Sequence, residues 1–200
     1  MVFIAPVVGA RTSNSEYTRS ELREMNGSHQ AAWSLAEGGT MTAEVAVQSV
    51  PIKADGTSGK VVVRQVHGKH QELCRLYFDG HTAYFVDDKA GPGNAPAMFF
   101  LRDAKGHEPS LSVGEKFDYS IQVGRHSMTV KAFTNNTIYE AFDPISPAWR
   151  ADKFYFKAGV YNGVGAPGSG AATVGSGTGS VAFYQLVVHH PNGGPASWAG

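Results

Sequence analysis

Tyr155-Phe156-Lys157-Ala158-Gly159-Val160-Tyr161-Asn162 alternates polar and apolar side chains. Successive side chains of a β-strand point to opposite faces, with a period of two. Tyr155, Lys157 and Tyr161 therefore share one face, and Phe154, Phe156 and Val160 share the other. Two more stretches have the same character. In Arg19-Ser20-Glu21-Leu22-Arg23-Glu24, the side chains of Arg19, Glu21 and Arg23 face the same way as Tyr17, and Leu22 opposes them. In Gln65-Val66-His67, the amide and the imidazole share a face against Val66. If these polar faces converge, they line a groove with two guanidinium groups, an amide, an imidazole, an ammonium and phenols. Such a groove suits an anionic sugar polymer and proton transfer next to a carboxylate.

Working outward, short apolar runs recur along the chain between turn residues such as Asp79-Gly80, Gly91-Pro92-Gly93-Asn94 and Asn135-Asn136. This spacing is that of an antiparallel sandwich or barrel. Strands are predicted at 18–25, 41–50, 60–67, 73–78, 82–87, 97–102, 117–123, 127–134, 137–142, 154–162 and 181–189. One short helix is predicted near 30–35. The expected architecture is all-β: a single-domain jelly roll over residues 1–200, made of two curved antiparallel sheets with a concave substrate groove. The Gly- and Ser-rich stretch 163–179 reads as a surface loop, or as a lid beside Tyr161.

Composition sets limits on partners. The chain has 200 residues, 42% of them apolar and 17% charged, so it can bury a sizeable core. Its formal net charge is zero, so any anion site must be a local cluster of Arg and Lys. No basic stripe is interleaved with aromatics, and no nucleic acid partner is expected. No apolar run reaches the roughly 18 residues of a membrane span, so no membrane partner is expected either. Cys74 is the single cysteine; in its apolar strand it reads as a small buried hydrophobe rather than a nucleophile. The eight histidines are scattered without a zinc-ligand pattern, so no metal and no other cofactor is expected.

Taken singly, each polar pattern is commonly an ordinary solvated strand face. Together and in this order, they resemble the three signature blocks of the alginate lyases of polysaccharide lyase family 7. Those blocks run R-(T/S)-E-L-R-E, Q-(I/V)-H and Y-F-K-A-G-x-Y-N-Q. The resemblance covers nearly the whole chain, from near Phe3 to Val188. It departs at one place, where the usual Gln after Tyr-Asn is Gly163.

The resemblance implies a secreted, monomeric lyase that cuts alginate by β-elimination. Arg19 and Gln65 would neutralise the uronate carboxylate, with Arg19 favoured over Arg23. His67 and Tyr161 would carry protons. A cation beside a phenol favours the phenolate, and Arg19 and Lys157 are candidates for that role. Substrate contacts are expected from Tyr17, Glu21, Arg23, Tyr155, Lys157 and Asn162, with Glu21 mainly positioning the two arginines. Endolytic action follows from an open groove, and Val66 in the middle block goes with mannuronate-rich chains. The alternatives are a non-catalytic sugar-binding sandwich and a lyase for another polyuronate such as glucuronan. Because side chains alone are assigned to the carboxylate, EDTA should leave activity untouched. Loss on chelation, restored by one divalent ion, would revive a metal-assisted elimination.

Overall fold

The computed structural model describes residues 1–13, 15–191 and 197–199. In chain order the strands are β1 (Val2–Pro6), β2 (Arg19–Asn26), β3 (His29–Gln30), β4 (Gly39–Ser49), β5 (Ile52–Lys53), β6 (Val61–His67), β7 (Glu72–Phe78) and β8 (Ala83–Asp87). They continue with β9 (Ala97–Phe100), β10 (Lys116–Val123), β11 (Met128–Thr134), β12 (Thr137–Asp143), β13 (Tyr155–Asn162), β14 (Gly175–Ser176), β15 (Thr178–His189) and β16 (Ser197–Ala199). Two antiparallel sheets form a jelly-roll sandwich. One is ordered β1-β15-β4-β10-β11-β12, the other β16-β2-β13-β6-β7-β8-β9. The three polar segments thus become adjacent strands, β2, β13 and β6, in the second sheet.

Alternation builds the core between the sheets. Met41, Ala43, Val45 and Val47 of β4 point inward with Phe117, Tyr119, Ile121 and Val123 of β10. They meet Phe156, Ala158 and Val160 of β13 and Val66 of β6. Each large apolar side chain removed from water contributes about 1.5–3 kcal/mol. Cys74 is wholly buried here, and burial pushes its thiol up to about 12, as suits a structural cysteine.

The segment 30–35 is not helical. Ala31, Trp33 and Leu35 are the buried residues, a period of two, and Trp33 exchanges backbone hydrogen bonds with Phe154. That extended pairing outweighs the local helix tendency. Among the described residues the helices are two single 3-10 turns, Pro92–Asn94 and Pro147–Trp149. The sequence pattern also omits β1, whose alternate residues Phe3 and Ala5 pack into the core.

Inside the sandwich Glu24 is tied down by hydrogen bonds, whereas the Arg64 guanidinium, among the described residues, lies against aromatic rings without a hydrogen-bond partner. The carboxyl of Glu24, 1% exposed, accepts from Trp33 Nε1 (2.9 Å), from the Phe156 amide (2.8 Å) and meets His190 Nε2 at 2.6 Å. Burial alone would lower the His190 pKa, but Glu24 and the Gly38 carbonyl outweigh it and raise the value. That contribution is complete below the ordinary histidine range and fades as pH rises through the raised value. The guanidinium of Arg64, fully buried, lies over the rings of Tyr119 (5.4 Å) and Phe156 (5.2 Å).

Asp87 and Asp143 are neighbouring buried carboxyls. Trp149 Nε1 donates to Asp87 at 2.9 Å. Burial and its neighbour Asp87 raise Asp143 to about 8. Replacing Glu24 with Ala strands three donors inside the sandwich. It should lower unfolding free energy by about 3–5 kcal/mol, the cost of breaking a buried pair. Urea denaturation measures this; a loss below about 1 kcal/mol, the scale of a surface pair, would show that the site collapses without it.

Candidate active site

Strand register lines up the polar groups. Lys157 pairs with Arg23 on one side and Gln65 on the other. Tyr155 pairs with His67, which in turn pairs with Glu72. Tyr161 pairs with Arg19 and with Val62. The close approach of β2 to β13 needs Gly159. Its φ is +151°, and a Cβ there would collide with the Ser20 carbonyl oxygen.

Glu21 sits at the centre, its side chain 2% exposed. One carboxylate oxygen accepts from Gln65 Nε2 at 2.5 Å, and the other pairs with Lys157 Nζ. Arg19 is more distant, at 3.9 Å. Glu21 therefore positions the amide and the ammonium rather than two arginines, and it lies beneath the groove surface. An amide nitrogen carries two hydrogens, so Gln65 keeps one to donate elsewhere.

His67 stacks on Tyr155 with ring centroids 5.1 Å apart. Its Nδ1 donates to the Gly68 carbonyl at 2.6 Å, which leaves Nε2 as the bare, basic nitrogen. Nε2 lies 3.4 Å from Glu72 Oε1. Burial lowers the His67 pKa, and Lys157 and Arg19 add to this against the Gly68 carbonyl and Glu21. Burial raises Glu72 to about 7, helped by Asp88 and opposed by Arg75 and Lys157.

The Tyr161 hydroxyl lies 3.2 Å from Ser15 Oγ, and its ring carries the Arg19 guanidinium at 4.8 Å. Tyr17 meets that ring edge-on at 6.1 Å. Arg19 also donates to Thr12 Oγ1 at 2.9 Å.

Arg19, His67, Lys157 and Tyr161 line one cleft of about 430 Å³ with Thr12, Lys69, His70 and Glu72. A second cleft, about 810 Å³, continues past Tyr161 and is lined by Tyr17, Arg11 and Ser169 among others. Of the sequence candidates, Gln65 is wholly buried beneath this surface. Arg23 is not in the first cleft; it lies flat on Tyr155, 3.5 Å from the ring centroid.

Asn162 is a correction. It is 1% exposed on the interior face, where its amide donates to the Ala5 carbonyl (2.7 Å) and to Thr18 Oγ1 (2.8 Å). It follows Tyr161 directly, so alternation turns it away from the groove and it docks β1. The stretch after it is pinned to itself, with Gly165 and Gly175 in backbone hydrogen bonds, and Arg11 Nη1 holds the Ser169 carbonyl at 2.9 Å.

Glu72, Lys69 and His70 are cleft residues that the motifs do not mark. Counting back across the β6–β7 hairpin from His67 would have found Glu72. Among the described residues no three His, Cys, Asp or Glu side chains gather as metal ligands.

With its pKa lowered, His67 should titrate below 6.5 in an NMR pH series. A midpoint above 6.5 would mean that the Glu72 contact dominates burial.

A family model described as alginate lyase matches residues 1–190. An alginate lyase of Klebsiella pneumoniae is 27% identical over 208 residues, covering 81% of this chain and 68% of the relative. The crystal structure of the alginate lyase from Klebsiella pneumoniae superposes with a TM-score of 0.79 at 24% identity, over 96% of this chain and 81% of that one. The family 7 alginate lyase A1-II′, in complex with a substrate given as GGMG, superposes at 0.71 with 24% identity, over 96% and 78% of the two chains.

Proposed function

This chain belongs to the alginate lyases of polysaccharide lyase family 7, and from that premise we propose that it cuts alginate endolytically by β-elimination and favours mannuronate-rich chains. The observation that carries the proposal is one cleft holding Tyr161, His67, Arg19 and Lys157 together. The A1-II′ complex, with its alginate-type substrate, supports the same ligand class.

The hard step is removal of the C5 proton, because the neighbouring carboxylate is anionic and acidifies it poorly. Arg19 and Lys157 supply donors where the second negative charge develops, and Gln65, buried beneath them, acts through Glu21. One such donor is worth about 3 kcal/mol. Arg19 takes the carboxylate role ahead of Arg23, whose guanidinium is spent on Tyr155. The base accepts the C5 proton, the C5–H electron pair becomes the C4–C5 double bond, and the C4–O4 bond breaks. O4 leaves with a proton from the acid.

In mannuronate the proton and the leaving group lie on one side of the ring, so Tyr161 serves as base and then acid. In guluronate they lie on opposite sides, and bare Nε2 of His67 is the second base. Val66 is buried in the core and acts on specificity only by shifting its neighbours. One methylene of packing there is worth about 1 kcal/mol, a preference and not a switch.

Endolytic cleavage is supported by the second cleft beyond Tyr161, which gives the polymer room on both sides of the reacting bond. A polymeric substrate too large to cross a membrane supports secretion, and we propose that the enzyme is secreted and acts as a monomer.

Absorbance of the new C4–C5 double bond on separate polymannuronate, polyguluronate and glucuronan tests the substrate. Polymannuronate should be cut fastest, with an early fall in viscosity; equal rates on both alginate homopolymers would remove the preference. Tyr161→Phe should lower kcat by roughly 10²–10⁴-fold, the range of general acid–base catalysis, without changing the fold. His67→Ala should damage guluronate cleavage more than mannuronate cleavage. Retention of more than about a tenth of kcat in Tyr161→Phe would take the phenol out of the reaction.

A further inference from the structure

The geometry points to a second carboxylate-binding position on the groove face, built on Lys60, for a uronate of the same chain beyond the sugar being cut. It rests on the polyuronate reading above and extends it to a residue that no motif marks.

Strict alternation from Gln65 and His67 would turn Lys60 into the core. It does not, because β6 bulges: Val62 pairs with Tyr77 and Arg64 with Leu76, so Val63 is an extra residue. A bulge re-aims the side chains beyond it. Val62 accordingly packs on the groove face with Tyr77, Tyr84 and Tyr161, and Lys60, two residues earlier, shares that face. Its ammonium lies 4.5 Å from the Tyr77 ring centroid and 3.5 Å from the Tyr84 hydroxyl. The rise of a strand puts the Lys60 backbone about 7 Å from that of Val62, the cross-strand neighbour of Tyr161.

This cation lacks an anion. Lys157 has Glu21, and Arg75 has Asp88. Among the described residues, Lys60 has no carboxylate within ion-pair distance; Asp79 acts on it only from further away, and Arg75 and Lys53 repel it. Half-burial lowers its pKa, which an incoming carboxylate would reverse.

Room for it comes from Gly163. A Cβ there would meet Lys60 Cγ at 2.6 Å, and the Gly163 amide is itself bonded to the Lys60 carbonyl at 2.9 Å. Gly163 stands where the family motif carries Gln. The polar group missing at 163 is replaced by an ammonium whose stem crosses the vacated space, with the Tyr84 hydroxyl as a second donor to the same carboxylate.

The test uses Lys60→Met, which keeps the stem and removes the charge, and Lys60→Arg as the conservative control. Activity is measured on short and long oligomannuronates. Binding of the same oligomers is measured by calorimetry at low and high salt, with each Lys60 change also placed in a Tyr161→Phe background. Lys60→Met should raise KM and Kd for the long oligomer about tenfold, the size of one charge-assisted hydrogen bond. It should leave kcat within about twofold, spare the shortest cleavable oligomer and lose its effect at high salt; Lys60→Arg should bind as the parent does. Unchanged binding, an equal effect on every length, or a loss confined to kcat would overturn the assignment. A parent enzyme inert on all polyuronates would fail the lyase reading instead, and the calorimetry would still decide whether Lys60 holds a carboxylate.

Discussion

One buried carboxylate organises the groove. Glu21 is almost wholly out of water, and a buried charge is tolerated only when it is paired and hydrogen-bonded. Its two oxygens are satisfied from two different strands, by Gln65 of β6 and Lys157 of β13, while Glu21 itself belongs to β2. The electrostatic requirement of one side chain thus fixes the lateral order of three strands and the aim of two groups in the site. The Lys157 ammonium, which would otherwise wander on a flexible stem, is held in place in the cleft, which lowers the ordering cost of any binding there.

The same strand does a second job on its other face. Glu24, three residues on, gathers Trp33, the Phe156 amide and His190 in the interior. β2 is therefore stapled on both faces by acids of opposite aim: one sets the groove, the other joins the two sheets. This accounts for a strand with four charged side chains in eight residues sitting inside a sheet, between β16 and β13, rather than at its edge.

Much of this was legible in residues 155–162, 19–24 and 65–67, because alternation is a local property and all three segments obey it. The sandwich and the convergence of the three polar faces follow from it. What escaped depends on pairings that sequence spacing does not display. Asn162 ends the motif and so reads as a substrate contact, although the alternation that makes Tyr161 legible turns it inward. Glu72 became visible only when the hairpin placed it opposite His67. Gln30–Leu35 mimics a short helix until Trp33 finds Phe154 far along the chain. Lys60 sits across a bulge, so counting by twos from His67 gives the wrong face.

That bulge also divides β6 into two halves with independent parity. His67 and Gln65 lie on one side of Val63, Val62 and Lys60 on the other, and both halves present to the groove. The proposed proton carrier His67 and the proposed carboxylate-binding Lys60, which immediately precedes β6, thus lie along one segment without sharing one register. A lineage or a designer could slip the early half by one residue, exchanging Lys60 for its neighbours on the groove, and leave the later half in place. On the proposed roles, the bulge makes reach along the polymer a trait that can drift while the chemistry stays put.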